Sequence, residues 1–541
     1  MPLFTDKDRR IARAISRLVT LNPFLPEWLE YEREALGQAP ADGSKASASS
    51  ASSSTTVWSM RADADVERPE IEELVGRAGK LADTTRAKLL ADDNGSTDAA
   101  DRGLYVDLVL YLLYHRYRNH LYQTLLDVET SNAAAVRTGT RAAVRYFARF
   151  ADEVAHYLQL PGVELPEEPD APHLFALFFQ IRRAFNHIYR FIVGGSMGAA
   201  RLRAQIWQSI FTHDMHRYRR SLYPRMGDFT TLIVGESGTG KELVARAIGL
   251  SRYVPFDVER GTFADDFTQL FVPLNISALA EHLIESELFG HRRGAFTGAL
   301  EDRTGWLEAC RPHGTVFLDE IGEVSAEVQV KLLRVLQTRT FQRLGDTTSR
   351  HFEGKFIAAT NRNLPAEMAE GRFRDDFYYR LCSDVIVTPS LAGLLHESPD
   401  ELQNMVRFIA RRVAGAEAPA VTDECVAFIR ESLPDYAWPG NFRELEQCVR
   451  NVLIRGEYRP PDRPHRAGDG GLLSALEDGA LTADELLRRY CTVVYARTGN
   501  YQETARRLGI DRRTVRARVD RGLLAQLTGR EHELPDEDPA E

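Results

Sequence analysis

The 541-residue sequence is poor in cysteine, and the five it has are scattered. Cys310, Cys382, Cys425, Cys448 and Cys491 form no C-x-x-C pair, and no histidine cluster stands at zinc-ligand spacing. That pattern argues against a zinc module and a disulfide framework and fits a reduced, cytoplasmic setting. Long apolar runs are missing as well: no stretch of about 18 apolar residues occurs. The opening MPLFTDKDRRIARAISRLV lacks the continuous apolar core of a signal peptide, so no membrane association is expected. A basic surplus is also absent. Lys plus Arg number 68 against 78 Asp plus Glu, a formal charge of -10, which taken alone argues against a nucleic-acid binder. What is present is ordinary for a soluble globular chain, 43% hydrophobic and 27% charged residues, with length enough for roughly three or four domains.

Composition marks the boundaries. Residues 41–57, ADGSKASASSASSSTTV, offer no large apolar side chain before Val57 to offset the entropy of ordering, and read as a linker or long surface loop. Around them, residues 1–190 read as successive helices, with apolar residues at three- and four-residue spacing over Asp8 to Thr20, Glu70 to Leu90, Leu104 to Val128, Ala133 to Leu158 and Leu174 to Ile192. From residue 191 the texture changes. Short apolar runs at Thr230 to Val234, Leu270 to Leu274, Thr315 to Leu318 and Phe356 to Ala359 alternate with helical periods, which predicts a parallel α/β sheet over 191–389. Helical periodicity returns over 390–458, a Pro/Gly-rich linker follows over 459–480, and a short helical domain, 481–530, precedes an acidic tail, 531–541.

The strongest single motif is TLIVGESGTGKE, Thr231 to Glu242. An apolar strand runs into Gly235, Gly238 and Gly240, whose backbone N–H groups, with those of Glu236, Ser237 and Thr239, can surround phosphate oxygens. Lys241 then opens a helix whose N-terminus favours anions. Glu242 stands where a P-loop usually has Ser or Thr against Mg2+, so the metal must rely on other ligands. GTVFLDEIGE, Gly314 to Glu323, supplies them: a buried strand delivers Asp319, suited to the Mg2+ shell, and Glu320, suited to a base that orients water. Two adjacent acids after a strand also occur as a mere solvated turn, and it is their position after a P-loop that gives the pair weight. Two more strands end in asparagine. Asn361 can face the γ-phosphate or water, and Asn275 could bond Glu320 and hold it inactive, although asparagine at a strand end is commonly just a turn former.

ESELFGHRRGAFTGA, Glu285 to Ala299, is more specific. It resembles the loop of the AAA+ domain of bacterial enhancer-binding proteins, the activators of sigma-54 RNA polymerase. GESGTGKE, ELFGH, GAFTGA, FLDEIGE, ATNRNL, FRDDFYYRL and WPGNFREL fall in that family's order, from about Phe191 onward. Read physically, Gly294 and Gly298 permit a mobile turn, and Phe296 and Thr297 form a tip exposed for a partner unless the ring folds inward. The resemblance implies that the loop Gly294, Ala295, Phe296, Thr297, Gly298 and Ala299 contacts the sigma factor. It also implies that Arg374 and Arg380 are arginine fingers reaching a neighbouring subunit's γ-phosphate, which requires a homo-oligomeric, hexameric ring, and that Arg443 in the helical lid contacts nucleotide in cis. ATP and Mg2+ are the implied cofactors. One departure is VPFDVERGTFADDFTQLFVP, between Ser251 and Asn275, which is longer and more acidic than the family leads one to expect.

In the C-terminal domain, two short helices flank LGI at Leu508 to Ile510, a helix-turn-helix arrangement with Arg512 to Asp520 as recognition helix. It resembles the Fis-like domain that ends the enhancer-binding proteins. Arg512, Arg513, Thr514, Arg516 and Arg518 can divide between base edges and phosphates of double-stranded DNA. Residues 481–530 hold eleven Arg and no Lys against five acids, whereas 531–541 hold six acids and no Lys or Arg. The tail therefore hides a basic domain from the overall charge, either as a solubilising end or as a competitor of DNA phosphate.

Residues 1–190 show no alternating strands with an isolated acceptor aspartate, so a phosphorylation receiver is not expected. The aromatic-rich segments around Tyr105 to Tyr122 and Phe175 to Phe191 read as helix packing or, alternatively, as an aromatic-ligand or haem pocket. The expected architecture is thus an all-α regulatory domain sensing an unknown ligand or protein, an α/β AAA+ ATPase with helical lid, and a helix-turn-helix. The expected function is a sigma-54-dependent activator that hydrolyses ATP to remodel RNA polymerase into the open complex. The alternative is a DNA-located AAA+ ATPase acting on a different protein client, which would have no need of GAFTGA.

Overall fold

A computed structural model describes residues 3–38, 69–92, 97–135, 144–166, 170–460, 482–520 and 522–524. The expected 41–57 linker, the 531–541 tail and all but the first two residues of the 459–480 linker lie outside the described residues. Among the described residues, no helix is long and apolar enough to cross a membrane.

The N-terminal region is helical: Asp6–Thr20, Glu27–Ala35, Pro69–Leu90, Ala99–Ala135, Phe147–Leu158 and Ala171–Phe191. Thr5 caps the first of these, its side chain accepting the Asp8 amide at 3.2 Å, so an amide that the helix leaves unpaired is satisfied. The helix expected over Ala133 to Leu158 is not continuous. The long helix ends at Ala135, the next begins at Phe147, and the Val144 amide donates to the Gly261 carbonyl at 2.9 Å, where a helix would need it for itself.

Five parallel strands follow, β1 (Thr231–Val234), β2 (Phe271–Asn275), β3 (Thr315–Asp319), β4 (Lys355–Thr360) and β5 (Asp384–Val387), in the order β5-β1-β4-β3-β2. β4 is buried throughout and β3 up to its last residue, as a parallel sheet covered on both faces requires. Pairing of Asn275 with Asp319 and of Val234 with both Thr360 and Val387 aligns the carboxyl ends of the strands along one edge. That edge, at the crossover around β1, is where open α/β sheets bind ligands. Helices Glu401–Ala414, Ala418–Ser432 and Asn441–Arg455 form the segment after the sheet.

The boundary expected at residue 190 falls inside helix Ala171–Phe191, and the structure draws no division there: Met1–Glu457 is one compact unit. The reason is the long segment after Ser251. It folds as a small hairpin, Phe256–Asp257 against Thr262–Phe263, and Val254, Phe256, Phe263, Phe267 and Leu270 enter the same hydrophobic core as the N-terminal bundle. Phe263 stacks on Phe179 at 4.2 Å and Phe256 lies 4.6 Å from Phe147. Gln180 donates to the Ser251 carbonyl at 3.0 Å, and the buried Arg183 donates to the carbonyls of Leu250 and Arg252. The bundle therefore grips the exit of helix Lys241–Gly249, the helix that opens at the P-loop.

The second unit, Tyr458–Glu541, contains helices Ala483–Thr498, Tyr501–Leu508 and Arg512–Arg518. Thr482 and Glu485 form a capping box, Asn500 and Asp511 cap the next two helices, and Gly499 and Gly509 take the left-handed turns between them, with φ of 63° and 65°.

Candidate nucleotide site and surface loops

At the carboxyl end of β1 the chain needs left-handed backbone at Gly238 and Gly240, with φ of 81° and 87°, a conformation glycine adopts without strain. Gly238 is further constrained by packing, because a Cβ there would collide with the Gly440 carbonyl oxygen. Lys241 is buried and its Nζ donates to the carbonyls of Gly235 (3.0 Å) and Glu236 (3.1 Å). Burial lowers its pKa, an effect opposed by the negative charges of Glu320 and Asp319. Asp319 is shifted the other way: burial raises its pKa first and Glu320 adds to the rise, against the pull of Lys241. One ammonium and two carboxylates thus share a poorly solvated corner, where another cation would favour the ionised acids.

Glu320 is held with φ 58°, in the left-handed region, and its Oε2 accepts the backbone N–H of Asn361 at 3.3 Å. The expected bond from Asn275 to Glu320 is not the one formed. Asn275 Oδ1 accepts from Ser277 Oγ at 2.8 Å, a local turn contact that competes with any longer reach. Glu242 runs along its own helix to Arg246 at 3.0 Å. Among the described residues, no group of three or more His, Cys, Asp or Glu could hold a metal, so a divalent ion would rest on Asp319 and on phosphate oxygens. That is the usual manner of Mg2+, and the donor set fits it.

Within WPGNFREL, Asn441 is more connected than the expected Arg443. It is buried, with φ 50°. Its Nδ2 donates to Glu236 Oε2 (3.0 Å) and the Ser237 carbonyl (3.1 Å), while its Oδ1 accepts the Leu391 amide at 2.8 Å. Arg443 Nη1 donates to Ser237 Oγ at 3.3 Å and the Phe442 amide to the Gly238 carbonyl at 3.1 Å. Thr239 and Thr388 hydroxyls, 2.7 Å apart, tie the loop to the end of β5. The only advance signal for Asn441 was its place after Pro-Gly at a helix start.

Both candidate finger residues are exposed and engaged within their own chain. Arg374 forms a bidentate pair with Asp376 at 3.0 and 2.8 Å, and Arg380 donates twice to the Leu336 carbonyl at 3.0 and 2.9 Å.

The segment Gly294 to Ala299 is a turn closed by the Gly294 amide on the Ala299 carbonyl (2.8 Å) and the Ala299 amide on the Phe296 carbonyl (3.0 Å). Arg292 anchors its base to Asp302 at 3.2 Å and to Asp346 at 3.4 Å. Thr297 is exposed and Ala299 buried; the Phe296 ring is 39% exposed, with one edge against His291 at 5.0 Å. Leu300, 80% exposed, extends this apolar tip and was not foreseen. Gly294 and Gly298 have φ of 83° and 104°, so the turn depends on glycine at both positions.

In the second unit, Arg512, Arg513 and Arg516 are exposed, Thr514 is half-buried, and Val515 is buried. Arg518 is half-buried, and its guanidinium pairs with Asp484 on the first helix.

Residues 212–386 match the family model described as the Sigma-54 interaction domain. The chain is 41% identical over 301 residues to the transcriptional regulatory protein ZraR of Klebsiella oxytoca, covering 54% of this chain and 64% of that protein. It is 38% identical over 306 residues to a Nif-specific regulatory protein of Enterobacter agglomerans, covering 54% of this chain and 55% of that one. It thus spans less than two thirds of the length of these curated relatives. A crystal structure of NtrX from Brucella abortus is similar at 26% identity over 70% of this chain and 80% of that one, with a TM-score of 0.37. Over residues 212–386, then, the chain is similar to the Sigma-54 interaction domain family.

Proposed function

We propose that this protein is a sigma-54-dependent transcription activator that binds upstream DNA, assembles into a ring and hydrolyses ATP to drive RNA polymerase from closed to open complex. The observation that carries the reading is one fold holding both a P-loop with its acid pair and the exposed Phe296–Thr297 turn.

The backbone amides of Gly235 to Lys241 cradle phosphate oxygens, and Lys241 turns from the loop carbonyls to bind them. Asp319 would hold Mg2+, which when bound would supply neutralising charge to the phosphate oxygens. Glu320 orients the attacking water and accepts its proton. Its link to the Asn361 amide gives β4 a way to follow its position. Arg374 and Arg380 of one copy serve the site of the next, which makes ring assembly a condition of hydrolysis. Asn441 and Arg443 report the state of the P-loop to the lid. Movement of the sheet edge relative to the Gly294 to Ala299 turn presents Phe296 and Thr297 to the sigma factor. The helices of the second unit place the assembly on DNA, with Arg512, Arg513 and Arg516 facing the duplex.

ATP turnover and promoter opening test this together. Wild-type protein opens a sigma-54 promoter with ATP, Thr297→Ala hydrolyses ATP without opening it, and Glu320→Gln does neither. A protein that hydrolyses ATP and remodels some other client, but never opens that promoter, overturns the reading.

A further inference from the structure

The N-terminal bundle contains a cavity of about 130 Å³ whose walls include Trp28, Tyr111, Tyr114, Phe178, Phe185 and Trp207. The cavity opens partly to solvent, and most of its lining is apolar. A dry apolar cavity of about 150 Å³ is enough to take a benzene ring. The chamber also has a polar side. Thr20, Leu21, Trp207 and His216 line it and also line an adjoining recess of about 400 Å³, in which Asn22, Gln208 and His213 stand. At that rim His216 Nε2 lies 3.5 Å from Asp107 Oδ2; His115, Arg219 and the two tyrosines also stand in the chamber wall, so its lining is mainly but not wholly apolar.

We propose that this cavity binds a small uncharged ring compound bearing one hydrogen-bonding substituent, the ring in the aromatic chamber and the substituent directed to the recess, and that occupancy is coupled to the P-loop. The coupling runs through Trp207. Its ring is 5.0 Å from Phe185 in the chamber wall and 4.4 Å from Phe211. Trp207 and Phe211 share one core with Ile233 of β1 and with Val244, Ala245 and Ile248 of the P-loop helix. A ligand that fixes Trp207 therefore acts on the far side of the strand and helix that carry Gly235 to Lys241. A tightly packed core transmits such a displacement instead of absorbing it.

The site can be tested on the full chain by fluorine NMR with fluorobenzene and 4-fluorobenzyl alcohol. Both bind at a single saturable site, the alcohol about two- to tenfold more tightly because it adds a hydrogen bond. Leu110→Phe, which fills the chamber from one wall, weakens both by at least about tenfold while the melting temperature stays near wild type. If that variant does not fold, Trp207→Leu supplies the opposite perturbation: the enlarged chamber admits 1-fluoronaphthalene, which the wild type rejects. Absence of saturable binding overturns the site, as does binding that neither variant alters. By linkage, saturating ADP shifts the alcohol's Kd by about fivefold or more, and an unchanged Kd overturns the coupling. Only the coupling rests on the proposed ATP site. Loss of nucleotide binding with probe binding intact would count against that function, and the converse against the cavity.

Discussion

The bundle and the parallel-sheet core should unfold together, and Phe263 is the place to test it. Its side chain is 5% exposed, with ring centroids of Phe179, Phe256, Phe267 and Phe175 at 4.2, 5.4, 5.8 and 6.1 Å. Phe263→Ala removes a ring from the centre of this cluster and leaves a cavity, at a cost of about 3–5 kcal/mol. Met1–Glu457 is one compact unit, and at roughly 2 cal/mol/K per residue its unfolding entropy is about 1 kcal/mol/K. The melting temperature should therefore fall by about 3–5 °C. In calorimetry, the wild type shows one transition for this unit, which nucleotide at about 100 times its Kd raises by the equivalent of about 2.7 kcal/mol. Phe263→Ala shifts that same nucleotide-sensitive transition downward. Two transitions, with only the nucleotide-insensitive one moved by the substitution, would refute the shared core.

Glu320→Gln keeps the shape of the side chain but loses the base, so hydrolysis should fall by about 10²–10⁴-fold with ATP binding retained; a fluorescent-nucleotide titration beside a phosphate-release assay checks both. Burial pushes the Lys355 ammonium down to about 7, with Arg252 and Arg339 adding to the fall and Asp384 opposing it. Between about pH 7 and its ordinary value the unfolded chain binds the extra proton, so this residue's contribution to stability rises with pH across that window. In urea unfolding from pH 6.5 to 9.5, wild type should gain several kcal/mol on Lys355→Met, and a flat difference would refute the shift. Arg513→Ala should weaken DNA binding and, if the contact is to phosphate, reduce the salt slope by about one. Arg518→Ala should mainly loosen the tie to Asp484, at no more than about 1 kcal/mol; equal losses of affinity in gel shifts from the two would return Arg518 to the DNA face.

What could be read from the sequence was whatever is written locally. The P-loop is a demand for left-handed backbone at Gly238 and Gly240, and the helix starts at Thr482, Asn500 and Asp511 are written in their capping side chains. β3 and β4 could be read from their apolar runs, but β5, short and only partly buried, could not. Non-local partners stayed hidden. Nothing near Asn441 announces that its amide reaches Glu236, and nothing in the acidic stretch after Ser251 says that its phenylalanines complete a core begun by Phe147, Phe175 and Phe179. That stretch stands out in the sequence only as a departure in length and acidity. The same limit holds for Arg518, whose charge is legible in the sequence while its partner Asp484 is not.

The central claim is that nucleotide hydrolysis in this protein is spent on sigma-54 polymerase through the Phe296–Thr297 turn. It is tested most directly by open-complex footprinting of a sigma-54 promoter carrying the protein's upstream site, with wild type and Thr297→Ala compared at equal ATPase rates. The account predicts an ATP-dependent opened region with wild type and none with Thr297→Ala. An identical opened region with both proteins, or none with an actively hydrolysing wild type, would contradict it.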